Sequence, residues 1–443
     1  MYLPPQAQYC IESLEQAGFA AYAVGGCVRD ALLGLTPHDY DICTAAQPEQ
    51  IARIFARHEL VRSGEKHGTI GVVLEHQLYE ITAFRTEGSY GDSRHPDWVR
   101  FVDQVELDLA RRDFTVNAMA YSPTRGLCDP FGGAADLKNG ILRAVGDPER
   151  RFSEDALRIL RGVRFAARFD LRLEENTKNA MFRLASSMDK LARERVMDEL
   201  CKLLPQVSAA RLLEFAPILT QVIPPLQPCL GFRQHSPYHA YDVFTHTAYA
   251  VEAVPAELTL RWAALLHDVG KPTSFTLDDA GRGHFLGHAA QSADLAEEIL
   301  LQLKAPTALR QRVCTLIRWH MSKIEPETKS VRRALSKLGS ETFYQLIALQ
   351  EADMRGKDIE KAIDTAYYDT LRAIAHRIEE ENACLKVTDL AINGRDLIAM
   401  GYEGPAIGKA LQGLLEQVLD EKVENSKEAL LRALQQRGSR EIL

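Results

Sequence analysis

The 443-residue chain has no CxxC pair and no cluster of cysteines; its eight cysteines (Cys10, Cys27, Cys43, Cys128, Cys201, Cys229, Cys314 and Cys384) are scattered. That distribution excludes a zinc ribbon or a disulfide frame and leads us to expect reduced thiols in a cytoplasmic protein. No apolar run approaches the roughly 20 residues of a membrane-spanning helix. The N-terminal segment MYLPPQAQYCIESLEQAGF lacks a basic stretch followed by an apolar one, so no signal peptide is expected. Positive charge is not in surplus: 53 Lys and Arg face 61 Asp and Glu, a net charge of -8, which argues against a protein that coats nucleic acid indiscriminately. Internal repeats, low-complexity tracts and coiled-coil heptads are also missing.

The charge that is present is segregated. Arg143, Arg150, Arg151, Arg158, Arg161, Arg164, Arg168 and Arg172 crowd into one stretch, while acidic residues collect at Glu379–Glu381 and Glu416–Glu424. At this length two to four domains are expected. Residues 1–148 mix short β-rich runs with helices. Thr69–Glu75 and Leu78–Phe84 read as a hairpin around His76-Gln77, and Glu87–Trp98 reads as a polar, mobile loop. After Pro148 helical periodicity takes over to the end. Pro224, Pro225 and Pro228 mark a second boundary, 324–329 is a local break, and 385–395 opens a helical tail.

Chemistry concentrates first in AYAVGGCVRDALLGLTPHDYDIC, residues 21–43. A short strand runs into a Gly25-Gly26 turn, a helix follows with Arg29, and a second strand is expected to carry Asp39 and Asp41 on one face. Paired carboxylates suit Mg²⁺. A glycine turn before a helix offers backbone N–H groups to phosphates. Together they fit metal-dependent phosphoryl transfer, where positioning and electrostatics dominate. Glu80, central in the hairpin strand, is a candidate third carboxylate.

Two further segments fit a nucleotide. In Arg111-Arg112-Asp113, followed by Asn117, a helix start would put Asp113 and Asn117 on one face for sugar hydroxyls, with Arg112 for phosphate. In SEDALR, Ser153 would cap a helix whose stripe holds Asp155, Arg158 and Arg161. Cytosine and adenine both present an acceptor nitrogen beside an exocyclic amine donor, whereas guanine and uracil present a donor beside a carbonyl. A paired Asp155 and Arg158 can therefore match C and A and oppose G and U, at about 1–3 kcal/mol of discrimination per good pair.

The motifs GGCVRD, DYD, RRDFTVNAM and EDALRILRGVRFAARF, in this order, resemble the class II tRNA nucleotidyltransferase and poly(A) polymerase family, bacterial type. The resemblance implies an α+β chain. A polymerase-β-like nucleotidyltransferase head with a mixed sheet (1–148) would be followed by an all-α neck (149–224), body (225–370) and tRNA-binding tail (371–443). It implies that CTP and ATP are added to the tRNA 3′ end without a template, with pyrophosphate released. Under it, Gly26 and Arg29 contact nucleotide, Asp39 and Asp41 bind Mg²⁺, and Arg112, Asp155, Arg158, Arg161 and Arg164 line the nucleotide site. Arg85–Pro96 resembles the family's flexible loop, which favours full CCA addition, though an A-adding member would also keep it. The strongly basic extension usual in related poly(A) polymerases is missing.

A second constellation lies in the helical middle: His246, His267-Asp268, Lys271, His288, His320 and Asp353. Imidazole and carboxylate together suit Mn, Fe, Ni, Mg or Zn, and such groups can converge in a helical core. The spacing His246, His267-Asp268, Asp353 resembles the HD phosphohydrolase superfamily, with His288 and His320 where binuclear members place extra histidines. That likeness implies hydrolysis of a phosphoester such as a 2′,3′-cyclic phosphate or 2′-nucleotide, with Lys271 as a phosphate contact. His235 and His239 are expected to be structural. The competing readings are a poly(A) polymerase or A-adding enzyme, an HD phosphohydrolase with an inert head, and a non-catalytic RNA-binding module.

Overall fold

Seven short strands frame the N-terminal part. They are β1 (Ala21–Val24), β2 (Ile42–Thr44), β3 (Glu59–Val61), β4 (Thr69–Leu74), β5 (Gln77–Ala83), and, past a separate hairpin of β6 (Arg85–Glu87) and β7 (Val99–Phe101), β8 (Ala120–Ser122) and β9 (Gly126–Cys128). The order is β3-β4-β5-β2-β1-β8-β9, with β2 and β5 parallel and the other neighbours antiparallel. The computed structural model describes residues 1–88 and 99–438. Their packing divides into two units, Met1–Gln227 with Gln302–Ala305, and Pro228–Leu301 with Pro306–Leu443.

Both faces of the sheet are covered. On one, α1 (Pro5–Gln16) buries Ala7, Cys10, Ile11 and Leu14, a helical stripe, against Ala21, Ala23, Ile42 and Ile81. The alternate residues Tyr22, Val24 and Cys43 pack on the other face with Phe84, Val105 and Leu109. The hairpin forms as its alternation predicts, but its turn centres on Glu75 and His76, both at positive φ, one residue earlier than expected. The Arg85–Pro96 loop enters as strand β6; residues 89–98 lie outside the described residues.

Two expectations fail locally. Asp39 and Asp41 precede β2 and are not on it, although the Asp41 carbonyl already accepts from the Val24 N–H at 2.9 Å. Only three residues complete a ladder here, so the carboxylates sit on the extended entry to the strand. Likewise SEDALR is not one helix. A helix spanning Pro148–Glu154 ends, Asp155 takes extended angles (φ -146, ψ 104), and a new helix runs Leu157–Arg168. Ala156, not Ser153, is the N-cap residue, and the Asp155 carboxylate just before it accepts from the Leu157 N–H at 3.0 Å.

The second unit is helical apart from a small two-stranded hairpin, and among its described residues no helix is long and apolar enough to cross a membrane. The helices Val243–Ala253, Leu258–Leu266, Thr307–Trp319 and Ser340–Lys357 pack together, and Gly356 lets two of them approach closely. A Cβ there would lie 2.9 Å from the His246 carbonyl oxygen. The tail helices Gly394–Ala399, Pro405–Leu419 and Lys427–Gly438 close on their own apolar cluster around Leu397, Leu414 and Leu430.

Candidate functional site

The glycine turn has a steric cause. Gly25 holds φ +76, and a Cβ there would meet Arg112 Nη1 at 2.7 Å. The missing side chain is what lets Arg112 lie across the turn. Arg112 reaches Asp108 at 3.4 Å, and its buried Nε has no hydrogen-bond acceptor. Beside this turn, Asp39 and Asp41 are exposed. The Ile42–Ile81 register, carried one step back, sets Asp41 beside the exposed Glu80 on the adjacent strand. Desolvation raises the Asp41 pKa; Arg112 opposes that and the charge of Asp39 adds to it.

Arg29, Asp113, Asn117, Arg161 and Arg164, also expected at the nucleotide, join in one largely covered chain of hydrogen bonds and ion pairs. Arg29 donates to Asp30 Oδ1 (2.8 and 2.6 Å) and to Asn117 Oδ1 (2.6 Å), and lies 4.3 Å from the ring centroid of Phe169. The helix expected to start at Arg111–Asp113 does not form, only a short turn at Thr115–Asn117, yet Asn117 still donates to Asp113 at 3.2 Å. Asp113 accepts from Arg161 at 2.7 Å, and Arg161 and Arg164 both face Glu199, at 3.9 and 2.6 Å. Burial would raise the Asp113 pKa, but Arg161 and Asn117 overcome it and hold it at about 2. Three of the five Arg29 donors are thus engaged inside the protein, tying its own helix to Asn117, and its guanidinium also lies over the rings of Phe165 and Phe169.

Asp155 and Arg158 do not pair with each other. Asp155 accepts from Arg195 at 2.8 and 3.3 Å, while Arg158 donates to Glu154 (2.8 Å) and to the carbonyls of Arg151 and Arg111 (3.0 Å each). The break at Asp155 turns the two side chains to different partners. Arg195 and Glu199 come from the helix Arg193–Leu203, and no local motif in the sequence marks them. A carboxylate offers about four acceptor positions. Arg195 and the Leu157 N–H occupy three, leaving Asp155 room for one more donor, such as a single exocyclic amine.

In the second unit all six predicted residues converge. Ligand atoms of His246, His267, Asp268 and Asp353, and of Asp268, His288 and His320, form two groups whose members lie within 4.8 Å of one another, all buried. Asp268 bridges them. Its Oδ2 lies 3.2 Å from His246 Nε2 and from His267 Nε2, and its Oδ1 lies 3.4 Å from His288 Nε2. Asp353 Oδ1 is 3.0 Å from His246 Nε2.

The Nδ1 atoms of His267, His288 and His320 each face the carbonyl three residues earlier, at 2.7, 2.7 and 2.6 Å. A carbonyl can only accept, so Nδ1 carries the proton and Nε2 points its lone pair inward. Imidazole lone pairs and carboxylate oxygens then face one another, an arrangement that requires a cation between them. Asp268 Oδ2 has no aligned donor, although Lys271 Nζ lies 2.7 Å away. A proton can substitute for the metal. Burial disfavours charge on His267, yet Asp268 and Asp353 lift its pKa to about 10, while burial takes His320 down to about 4. The donor set fits a two-metal site.

Comparison with known proteins bears on the chain as a whole. Residues 21–143 match the Poly A polymerase head domain, 170–228 the RNA and SrmB-binding site of polymerase A, and 284–434 the tRNA nucleotidyltransferase domain 2. The CCA-adding enzyme of Leuconostoc mesenteroides is 34% identical over 431 residues, 96% of this chain and 94% of that protein. That of Streptococcus thermophilus is 34% identical over 442 residues, 98% of each. Among solved structures, the Bacillus stearothermophilus CCA-adding enzyme in complex with CTP shares 28% identity and a TM-score of 0.75, covering 99% of both chains. The Thermotoga maritima CCA-adding enzyme complexed with tRNA shares the fold, at 21% identity and a TM-score of 0.59 over 98% and 96%. Likeness at this level along nearly the whole length means that the chain belongs to the CCA-adding enzyme family.

Proposed function

We infer that the head adds CCA to the 3′ end of tRNA from CTP and ATP, without a template. The tRNA 3′-oxygen bonds to the α-phosphorus as it loses its proton, the bond from that phosphorus to the β-phosphate bridging oxygen breaks, and pyrophosphate leaves. The observation that carries this is the Gly25 turn with Arg112 lying across it beside Asp39 and Asp41, in a chain with full-length CCA-adding relatives. We assign Mg²⁺ to Asp39 and Asp41, with Glu80 alongside; the ion would neutralise phosphate charge and polarise the reacting oxygens. Gly25, Gly26 and Arg112 receive the triphosphate, Asp155 and Arg158 read the base, and Arg29, Asp113, Asn117, Arg161 and Arg164 set the wall behind them. The domain limits 1–148, 149–224, 225–370 and 371–443 remain our working division, and the eight free thiols support a cytoplasmic home. The test is extension of tRNA lacking CCA, one nucleotide at a time. CTP alone adds the two C residues, and A follows only when ATP is supplied as well. Long tails from ATP alone on that acceptor would make the chain a poly(A) polymerase instead.

For the second unit we propose a metal-dependent phosphoesterase. His246, His267, Asp268 and Asp353 would hold one ion and Asp268, His288 and His320 another. Bound there, such ions acidify water and polarise a phosphoryl oxygen. Lys271, 2.7 Å from Asp268 and 2.8 Å from Gln234, is placed to hold a phosphate oxygen. Metal analysis of the purified protein against His267→Ala tests the site: the wild type retains a divalent ion and the variant loses it. Equal metal content in both would refute the assignment.

A further inference from the structure

The head carries a second constrained glycine that neither activity above explains. Gly68 closes the short turn 64–68 ahead of β4, at φ +88. A Cβ there would lie 2.7 Å from Phe101 Cε1, so the edge of that ring rests on bare backbone. The positive φ alone would admit asparagine; the ring leaves no room for its Cβ. Phe101 stands on β7 directly opposite Arg85 on β6. Arg85 is tied at two points. Its guanidinium donates to the carbonyl of His67, in the same turn as Gly68, and its backbone N–H donates to Asp108 Oδ1 at 3.3 Å.

Asp108 lies on the helix Val105–Ala110, is 1% exposed, and takes Arg111 at 2.9 Å and, through Oδ2, Arg112 at 3.4 Å. Burial disfavours its charge, but the two arginines and the Arg85 N–H hold its pKa below the usual carboxylate value. A continuous line of contacts therefore runs from Gly68 through Phe101, Arg85 and Asp108 to Arg112, the cation that lies across the Gly25 turn. A groove of about 560 Å³, bordered by Gln47, Thr86, Arg100 and Leu107, leaves one flank of the β6–β7 hairpin open. The Phe101 ring and the two Arg85 contacts thus carry much of its placement. We propose that Phe101 is a positioning residue for nucleotide addition. Seated on Gly68, it fixes the hairpin; the Arg85 N–H then orients Asp108, and Asp108 aims Arg112 at the triphosphate. Without the ring Arg112 keeps its charge but loses its direction. This rests on the reading of Arg112 as a triphosphate contact.

The test is calorimetric binding of CTP to the full chain with Mg²⁺, with extension of tRNA lacking CCA and the melting temperature measured in parallel. Phe101→Ala should weaken CTP about tenfold, the size of one misaligned charge-assisted hydrogen bond. Phe101→Tyr, which keeps the ring, should bind as the wild type does. In extension, KM for CTP should rise while KM for tRNA holds, and the melting temperature should change little because the ring is only half-buried. Gly68→Asn, which tolerates the left-handed backbone but adds a Cβ, should reproduce Phe101→Ala. Combined with Arg112→Ala, Phe101→Ala should cost nothing further, since both act on one contact. Should Phe101→Ala fail to fold, Phe101→Leu serves the same comparisons. Losses that multiply in the double variant overturn the proposal, as does full CTP affinity in Phe101→Ala when Arg112→Ala binds weakly. Full affinity in Arg112→Ala instead removes the triphosphate reading on which the proposal stands. A shared loss in both single variants, with no tRNA extended by the wild type, keeps the line from Gly68 to Arg112 and discards the CCA reading alone.

Discussion

Gly25 is the residue on which the head depends most directly. An alanine there must adopt φ +76 and must push its Cβ into Arg112 Nη1, 2.7 Å away. Backbone strain of this kind costs about 1–3 kcal/mol. Displacing Arg112 also removes the cation that counters the desolvation of Asp41. Gly25→Ala should therefore lower the melting temperature modestly and nucleotide incorporation by a larger factor; a variant with full incorporation would show that the turn does not seat the triphosphate. Asp113 gives a pH signature. Its folded pKa of about 2 lies below the model-peptide value of 3.8, so its carboxylate stabilises the fold at and above mid-acid pH. That contribution, about 2 kcal/mol, is complete above pH 5 and is lost as pH falls from about 4 towards 2. In urea titrations, the gap between wild type and Asp113→Asn should shrink over that window; a constant gap would mean that the Arg161 pair does not set the pKa.

At the level of elements, the break between the helices Pro148–Glu154 and Leu157–Arg168 decides which partners Asp155 and Arg158, our proposed base readers, find. Arg195 holds Asp155 with two hydrogen bonds, which makes it a positioning residue. Arg195→Ala should relax the preference for C and A over G and U by about tenfold, with a smaller change in tRNA affinity. Arg195→Lys should restore part of it. Misincorporation assays with all four nucleotides read the effect, and undiminished discrimination would remove Arg195 from the selector. The same break marks where local reasoning stops. The hairpin Thr69–Ala83 was legible because alternation is written in neighbouring residues, and the six HD-type residues because their order along the chain resembles a known superfamily pattern. The pairing of Asp155 with Arg195 was not, since it arises when two distant helices pack. Both Ser153 and Asp155 can cap a helix, so the register of SEDALR was open until packing chose. The DYD segment missed its strand for a similar reason: β2 is only three residues long, and pairing with β1 and β5, not local propensity, sets where it begins.

Taken whole, the chain carries two clusters of ionisable residues in separate units, and we assign ions to each. A ligand that binds only the folded state stabilises by about 2.7 kcal/mol at a hundredfold excess over its dissociation constant. Adding Ni²⁺ or Mn²⁺ to chelator-treated protein should raise the melting temperature of the second unit by several degrees. Asp268→Ala should abolish that rise, since Asp268 belongs to both ligand groups, while CTP incorporation by the head continues. Loss of incorporation in Asp268→Ala, with the metal-induced shift intact, would reverse both assignments.

The run Asp30–Arg29–Asn117–Asp113–Arg161–Glu199–Arg164 alternates acceptor and donor along its length. An alternating ladder of this kind can be edited only in pairs: neutralising one rung strands its neighbour as an unmatched charge in the interior, which costs more than the contact removed. Anyone redirecting nucleotide choice in this protein would therefore do better to leave the ladder intact and work at the separate, partly exposed pair of Asp155 and Arg195, where a paired swap can be accommodated.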